Sequence, residues 1–196
     1  MGRAEQRAQT RKRVFEAAVT VFRRDGVSAA SIEDVATLAG VSRGTFYFHF
    51  PTKEAVLLAY MSDTEEQIEA ALADLPDETT FKAFIDGFLD KMAQIWEPEP
   101  ALLPDVAAAA LRLTATSVSD QQSIRLRALL AGRFAMAAER ESISFAMAPE
   151  MMSDLFLANM LIGLLAWHAN RQMQLRVVLG TIKELFFNGA ATTSPP

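Results

Sequence analysis

The 196-residue sequence predicts an all-α protein. Beta-branched runs are scarce, while Ala, Leu, Met, Glu and Arg, all good helix formers, dominate. Apolar residues also recur every three or four positions along most of the chain. With 51% apolar and 22% charged residues, the chain is ordinary for a globular protein and long enough to bury a real core.

About nine helices are expected, in a chain long enough for one large domain or two small ones. Residues 1–8 read as frayed. The first helix runs from about Thr10 to Asp25, with Val14, Ala18, Val21 and Phe22 on one face and Gly26 as its C-cap. "SIED" opens the second: Ser31 caps, and Asp34 reaches back as the glutamate of a capping box would. Gly40 stops it, Ser42 caps a third, and Thr52 caps a fourth that runs from Lys53 into the seventies. Residues 79–96 carry the stripe Phe81, Phe84, Ile85, Phe88 and Met92. "EPEPALLP" (97–104) is a break. Further helices cover 105–117, 120–141, 150–171 and 174–188, and 189–196 is a disordered tail. No flexible linker divides the chain, so the domain boundary falls at the fourth helix: 1–54 against 55–188.

Charge is unevenly placed. Residues 1–53 hold nine Lys/Arg against five Asp/Glu, a net +4, while the remainder holds ten against nineteen, a net −9. A basic N-terminal region on an acidic body implies either an anionic partner for that region alone or a solvated basic surface. The chain has no cysteine, which excludes disulfides and thiolate zinc sites. The N-terminus shows no apolar signal region. The longest apolar run, 155–167, is short for a bilayer and contains Asn159, so it reads as a buried helix. A cytoplasmic protein with no membrane association is expected.

The stretch "AGVSRGTFYFHF" (39–50) concentrates the chemistry. Two short helices about a glycine turn match helix-turn-helix geometry. Gly40 can take the positive φ such a turn needs, and Ala36 is small where the helices cross. Phe46 and Phe50, four apart, pack inward. Gly44 in the first turn of the third helix costs about 1 kcal/mol of helix propensity relative to alanine. That cost fits a close contact better than a folding need.

The segment 31–57, with G-V-S-R-G-T-F-Y-F-H-F followed by T-K-E, resembles the N-terminal helix-turn-helix of the TetR family of bacterial transcriptional repressors. The resemblance is specific over residues 10–60. It implies that Ser31, Ser42, Arg43, Gly44, Thr45, Tyr47, His49 and Lys53 face double-stranded DNA. Arg43 offers the fork that pairs with guanine O6 and N7. Thr45 suits a thymine methyl or a phosphate, and Tyr47 and His49 resemble the family's phosphate-clamping pair. Lys53 adds a cation at a helix N-terminus. Glu33 stands where some members are basic, and could accept from a cytosine amino group. Structural alternatives stay open: Ser31, Ser42 and Thr52 are caps in either case, Tyr47 could be packing, and Lys53 a solvated charge.

For the rest of the chain the resemblance implies a domain that binds a small effector and dimerises. The helix at 150–171 is apolar nearly all round, so a twofold-related partner is expected to cover one face, with Leu155, Ile162, Leu175, Val178, Leu179, Ile182, Leu185 and Phe186 at the seam. Trp96, Arg112, Trp167 and His168 are candidate effector contacts in an adaptable apolar pocket. The alternative for each is a core or surface role.

Catalysis is not expected. The sequence has no nucleophile elbow, G-x-G-x-x-G, P-loop or H-E-x-x-H, and neither a metal nor a cofactor is anticipated. A lipid carrier would suit the apolar body but leave Gly44, Tyr47, His49 and Lys53 without purpose. The sequence therefore points to a ligand-responsive repressor on a palindromic operator.

Overall fold

The computed structural model describes residues 2–76, 78–116 and 123–190. Among these residues it contains nine α-helices and no strand: α1 (Arg3–Asp25), α2 (Ile32–Ala39), α3 (Arg43–His49), α4 (Lys53–Ala73), α5 (Phe81–Trp96), α6 (Leu103–Thr116), α7 (Ser123–Arg140), α8 (Pro149–Ala169) and α9 (Leu175–Ala190). The all-α expectation holds. The helix ends anticipated at 117 and 120, and residues 191–196 of the tail, lie outside the described residues.

The N-terminus differs from expectation. α1 begins at Arg3, not near Thr10, because residues 3–13 are almost all good helix formers and Glu5 complements the first turn. Gly26 ends it at φ +78°, its N–H donating to Phe22 O. α2 starts as the sequence requires, with Ser31 Oγ accepting from the Asp34 N–H (3.4 Å). The reciprocal half of the capping box is absent. Asp34 is a methylene shorter than glutamate, and its carboxylate instead accepts from Arg24 (2.8 Å). Gly40 takes the left-handed conformation (φ 64°, ψ 41°), and the chain reverses into α3 over three residues. Ser42 and Thr52 cap α3 and α4 by accepting from the N–H groups of Thr45 and Ala55, both at 3.1 Å.

α1, α2 and α3 enclose a small core of Val14, Phe22, Val35, Phe46 and Phe50. α4 leaves this unit without a break and packs against α1, α5, α6 and α7. Around it the body closes on the α5 stripe, all of it buried. Phe81, Phe134, Phe145, Phe156 and Phe187 form a continuous set of tilted and edge-on ring contacts, beginning with Phe81–Phe134 at 5.0 Å. A 3-10 turn at Pro100–Leu102 follows α5, so α6 begins at Leu103 with Pro104 in its first turn, where the missing N–H costs nothing.

α8 is 21 residues long, and by length and composition alone it could cross a membrane. Its inner face instead belongs to the core through Met152, Phe156, Met160, Leu164 and Trp167. Ser153 Oγ donates to Arg127 O (3.0 Å) and Asp154 pairs with Arg127, polar contacts suited to a packed helix beside water. α8 and α9 cross closely at Gly163, where a Cβ would lie 2.2 Å from Ile182 Cδ1.

That crossing divides the eight residues expected at a dimer seam. Leu175 and Leu179 are fully buried within their own chain and cannot face a partner. Val178, Ile182 and Phe186 are half-buried, the Phe186 ring 5.5 Å from Phe156. Leu155, Ile162 (65% exposed) and Leu185 (70% exposed) do point outward, and Met151 and Val177 join them.

One element carries an electrostatic cost. Glu65 and Glu69 are like charges one turn apart on α4, an arrangement that destabilises helices. Burial, then the Glu69 charge, pushes the Glu65 carboxyl up to about 7, and Glu69 Oε1 is buried with no hydrogen-bond partner among the described residues.

Two outcomes are expected. Gly163→Val lowers stability by about 1–3 kcal/mol through overpacking, and Ile182→Ala in the same chain restores part of it; strict additivity in denaturant unfolding contradicts the close crossing. Because the folded Glu65 carboxyl ionises later than the unfolded one, its contribution is full below pH 4.5 and is lost as pH rises through about 7. Glu65→Gln therefore raises Tm by a few degrees at pH 8 and leaves it unchanged at pH 4.5. Equal shifts at both pH values contradict the burial.

Candidate nucleic-acid interface

Phe46 (fully buried) and Phe50 anchor α3 to the small core, with Phe50 also 6.3 Å from Phe15. The helix period then turns Arg43, Gly44, Tyr47 and Phe48 outward together. Tyr47 is 45% exposed and its ring meets Phe46 edge-on at 5.3 Å, so its orientation is fixed while its hydroxyl end is free to reach out. Nothing in the chain crowds Gly44: a Cβ placed there would find its nearest neighbour, Ser42 Oγ, at 3.7 Å. No internal packing demands a glycine, which strengthens the case for close approach from outside.

Arg43 is exposed, and its guanidinium pairs with Glu33, whose other carboxylate oxygen accepts from Ser31 Oγ (3.2 Å). Glu33 thus ties the start of α2 to the start of α3 across the turn. Thr45 is half-buried, with Oγ1 2.9 Å from Ser42 Oγ. These two hydroxyls close the α3 cap and still carry acceptor or donor capacity toward solvent.

Lys53 is not a solvated charge. Its ammonium donates to Ser28 O (2.7 Å) and Ala30 O (3.0 Å), pinning the loop before α2 to the start of α4. Two of its three donors are used and one remains for an anion. The residue thus has a structural role in holding the helix-turn-helix unit together.

His49 ends α3, half-buried. Burial, then the charges of Arg7 and Arg11, holds its imidazole below the ordinary 6.5. A neutral ring at pH 7 still donates one N–H. Arg7 and Phe48 are not among the contacts the sequence suggests, since a frayed start at 1–8 leaves Arg7 without a fixed place. The spacing of Arg3, Arg7 and Arg11, four apart, is the signal that could have found them. Phe48 is 64% exposed, with the Arg7 guanidinium 4.9 Å from its ring centroid.

The four effector candidates do not converge on a cavity. Trp96 is buried edge-on against Tyr60 (6.2 Å), and Trp167 is buried with Nε1 donating to Met173 O (2.9 Å), so both are core residues. Arg112 is exposed on α6, its charge acting on Glu54 at the start of α4. His168 is half-buried, with Nδ1 unpartnered among the described residues. A cavity of about 140 Å³ lies elsewhere, between the start of α5 and the end of α7, lined by polar groups including Thr80, Arg133 and Glu141. Drug-sized ligands occupy roughly 300–1,000 Å³, more than this cavity offers. No three metal-ligating side chains converge among the described residues.

Residues 14–60 match the bacterial regulatory proteins of the tetR family. The chain is similar to the HTH-type transcriptional regulator SrpR of Pseudomonas putida, 36% identical over 88 residues, or 44% of this chain and 41% of that protein. It is 49% identical over 47 residues to EthR of Mycobacterium tuberculosis, 24% of this chain and 22% of EthR. The chain thus matches these curated relatives over less than half of their length. The whole fold resembles that of Thermus thermophilus FadR in complex with lauroyl-CoA (TM-score 0.68, 24% identity, 95% of this chain and 97% of that one). It also resembles Bacillus subtilis FadR in complex with stearoyl-CoA (TM-score 0.75, 17% identity, 92% and 99%).

The His49 imidazole is expected to titrate below 6.5 by NMR, and to move toward 6.5 in Arg7→Gln/Arg11→Gln. The unfolded chain then binds the extra proton, so the domain loses stability as pH falls below that value. A midpoint at or above 6.5 contradicts the placement.

Proposed function

We propose, from the match of residues 14–60 to the bacterial regulatory proteins of the tetR family, that the chain is a homodimeric transcriptional repressor of that family, released from a palindromic operator by a small apolar effector. Residues 1–54 form its DNA-binding domain and 55–188 its effector-binding and dimerisation domain. It acts by binding and not by catalysis, in the cytoplasm where its DNA lies.

The observation that carries this reading is the outward presentation of Arg43, Gly44 and Tyr47 on a helix whose opposite face is locked into a core. Such a helix enters a major groove with its N-terminal residues on base edges. Arg43 must then exchange Glu33 for guanine, while Tyr47, His49 and the third Lys53 donor take phosphates. The capped N-termini at Ser31 and Ser42 are suited to backbone phosphates.

The apolar outer face of α8 and α9, with Leu155, Ile162 and Leu185, supports a twofold partner. A dimer sets two recognition helices on half-sites about 34–36 Å apart or at multiples of that spacing. Effector binding must favour a form in which this spacing fails, by a coupling of roughly 1–3 kcal/mol. Three contacts offer the route. Arg23 pairs with Glu99, Val27 N–H donates to Asp105 Oδ2 (3.3 Å), and Arg112 acts on Glu54. Movement of α6 or the turn before it therefore reaches α1 and the start of α4. The bound acyl-CoA molecules of the two structural neighbours, and the phenylalanine-rich interior here, favour an effector with a long apolar portion.

Selection from a random duplex library is expected to return a dyad-symmetric site bound by two chains. Arg43→Ala is expected to weaken that site by about 1–3 kcal/mol and relax preference at one position per half-site. Failure of the wild-type protein to enrich any duplex overturns the reading.

A further inference from the structure

We propose that the first turns of α1 form a second DNA-contacting element, in which Arg7 and Arg11 each take a backbone phosphate, with His49 beside them, along the groove that α3 enters. The inference rests on the DNA-binding reading and adds to it a contact outside the helix-turn-helix.

Residues 3–13 are helical, so Arg3, Arg7 and Arg11 fall on one face, each a little over a turn from the next. That face meets the C-terminal end of α3. The Arg7 guanidinium lies over the Phe48 ring (4.9 Å) and that of Arg11 over the Phe50 ring (4.6 Å). Phe50 is fixed in the core, and Phe48, though 64% exposed, meets the His49 ring edge-on at 5.1 Å, so both guanidinium groups lie at the C-terminal edge of α3. An aromatic face attracts a cation without neutralising it. The charge therefore stays available, unlike that of Arg23, Arg24, Arg43, Arg127 and Arg176, each paired with a carboxylate. Among the described residues no carboxylate pairs with Arg3, Arg7 or Arg11. His49 lies close enough to Arg7 and Arg11 for both charges to act on it.

Two forked donors and an imidazole N–H at one edge of α3 suit tetrahedral oxyanions. With the N-terminal end of α3 over base edges, its C-terminal end lies toward the strand that borders the groove. A duplex phosphate is the oxyanion present there. This contact carries no sequence information and fixes the register of the head on the duplex.

The test is the salt dependence of binding to a mixed-sequence duplex, read as the slope of log K against log salt. Each phosphate neutralised contributes about 0.9 to that slope. Arg7→Gln is expected to reduce its magnitude by about 1, and Arg7→Gln/Arg11→Gln by about 2, with the lysine versions retaining the wild-type slope. Melting by circular dichroism checks folding, and the exposed Arg7 single variant keeps the test valid if loss of the Arg11–Phe50 stacking unfolds the double. An unchanged slope in a folded Arg7→Gln protein, even with weaker binding, overturns the proposal and leaves the DNA-binding reading standing. Absence of wild-type binding to any duplex removes that reading itself, before a variant is made.

Discussion

The left-handed turn at Gly40 is the constraint on which the molecule's organisation rests. It lets α2 end and α3 begin within three residues, and it sets the crossing that sends Phe46 and Phe50 inward. Once those rings are buried, the helix period leaves Arg43, Gly44, Tyr47 and Phe48 outside. A side chain at Gly40 would meet no neighbour, so its requirement is one of backbone conformation alone. Both the exposure of the reading face and its rigidity follow from this one residue and the rings beside it.

The body is joined to that head by one continuous apolar core, which runs through Val56, Leu57 and Tyr60 of α4, and by charge and backbone contacts at its edge. Lys53 holds the loop before α2, Arg23 holds Glu99, and Asp105 accepts from Val27. α4 carries Glu65 through the middle of the body, its carboxyl pushed up to about 7 by burial and then by the Glu69 charge.

Local grammar was legible because it rests on a few adjacent residues. Gly26, Gly40, Ser31, Ser42 and Thr52 all cap where their side chains or φ angles dictate, and the α5 stripe is buried along its whole length. Tertiary choices were less legible. Asp34 turned to Arg24, ten residues away, which no local pattern encodes. The α9 stripe identified a buried face but could not say which residues meet α8 and which are left for a partner; Leu175 and Leu179 went to the first group. Trp96 and Trp167 fit a pocket or a core equally well by type, and only packing placed them in the core. The outward placement of Arg43, Gly44 and Tyr47 matches what the family resemblance implied, whereas Arg7 needed α1 to be seen as helical from its start.

The central claim is that two such heads are held at a fixed separation by a shared seam of α8 and α9. The chain has no native cysteine, so a single spin label at Thr37→Cys, exposed on α2, reports that separation directly by electron–electron dipolar spectroscopy. A single narrow distance on adding the selected duplex, consistent with recognition helices about 34–36 Å apart or a further turn, is the predicted result. No dipolar modulation at micromolar protein, or a broad distribution that the duplex does not sharpen, would contradict the account.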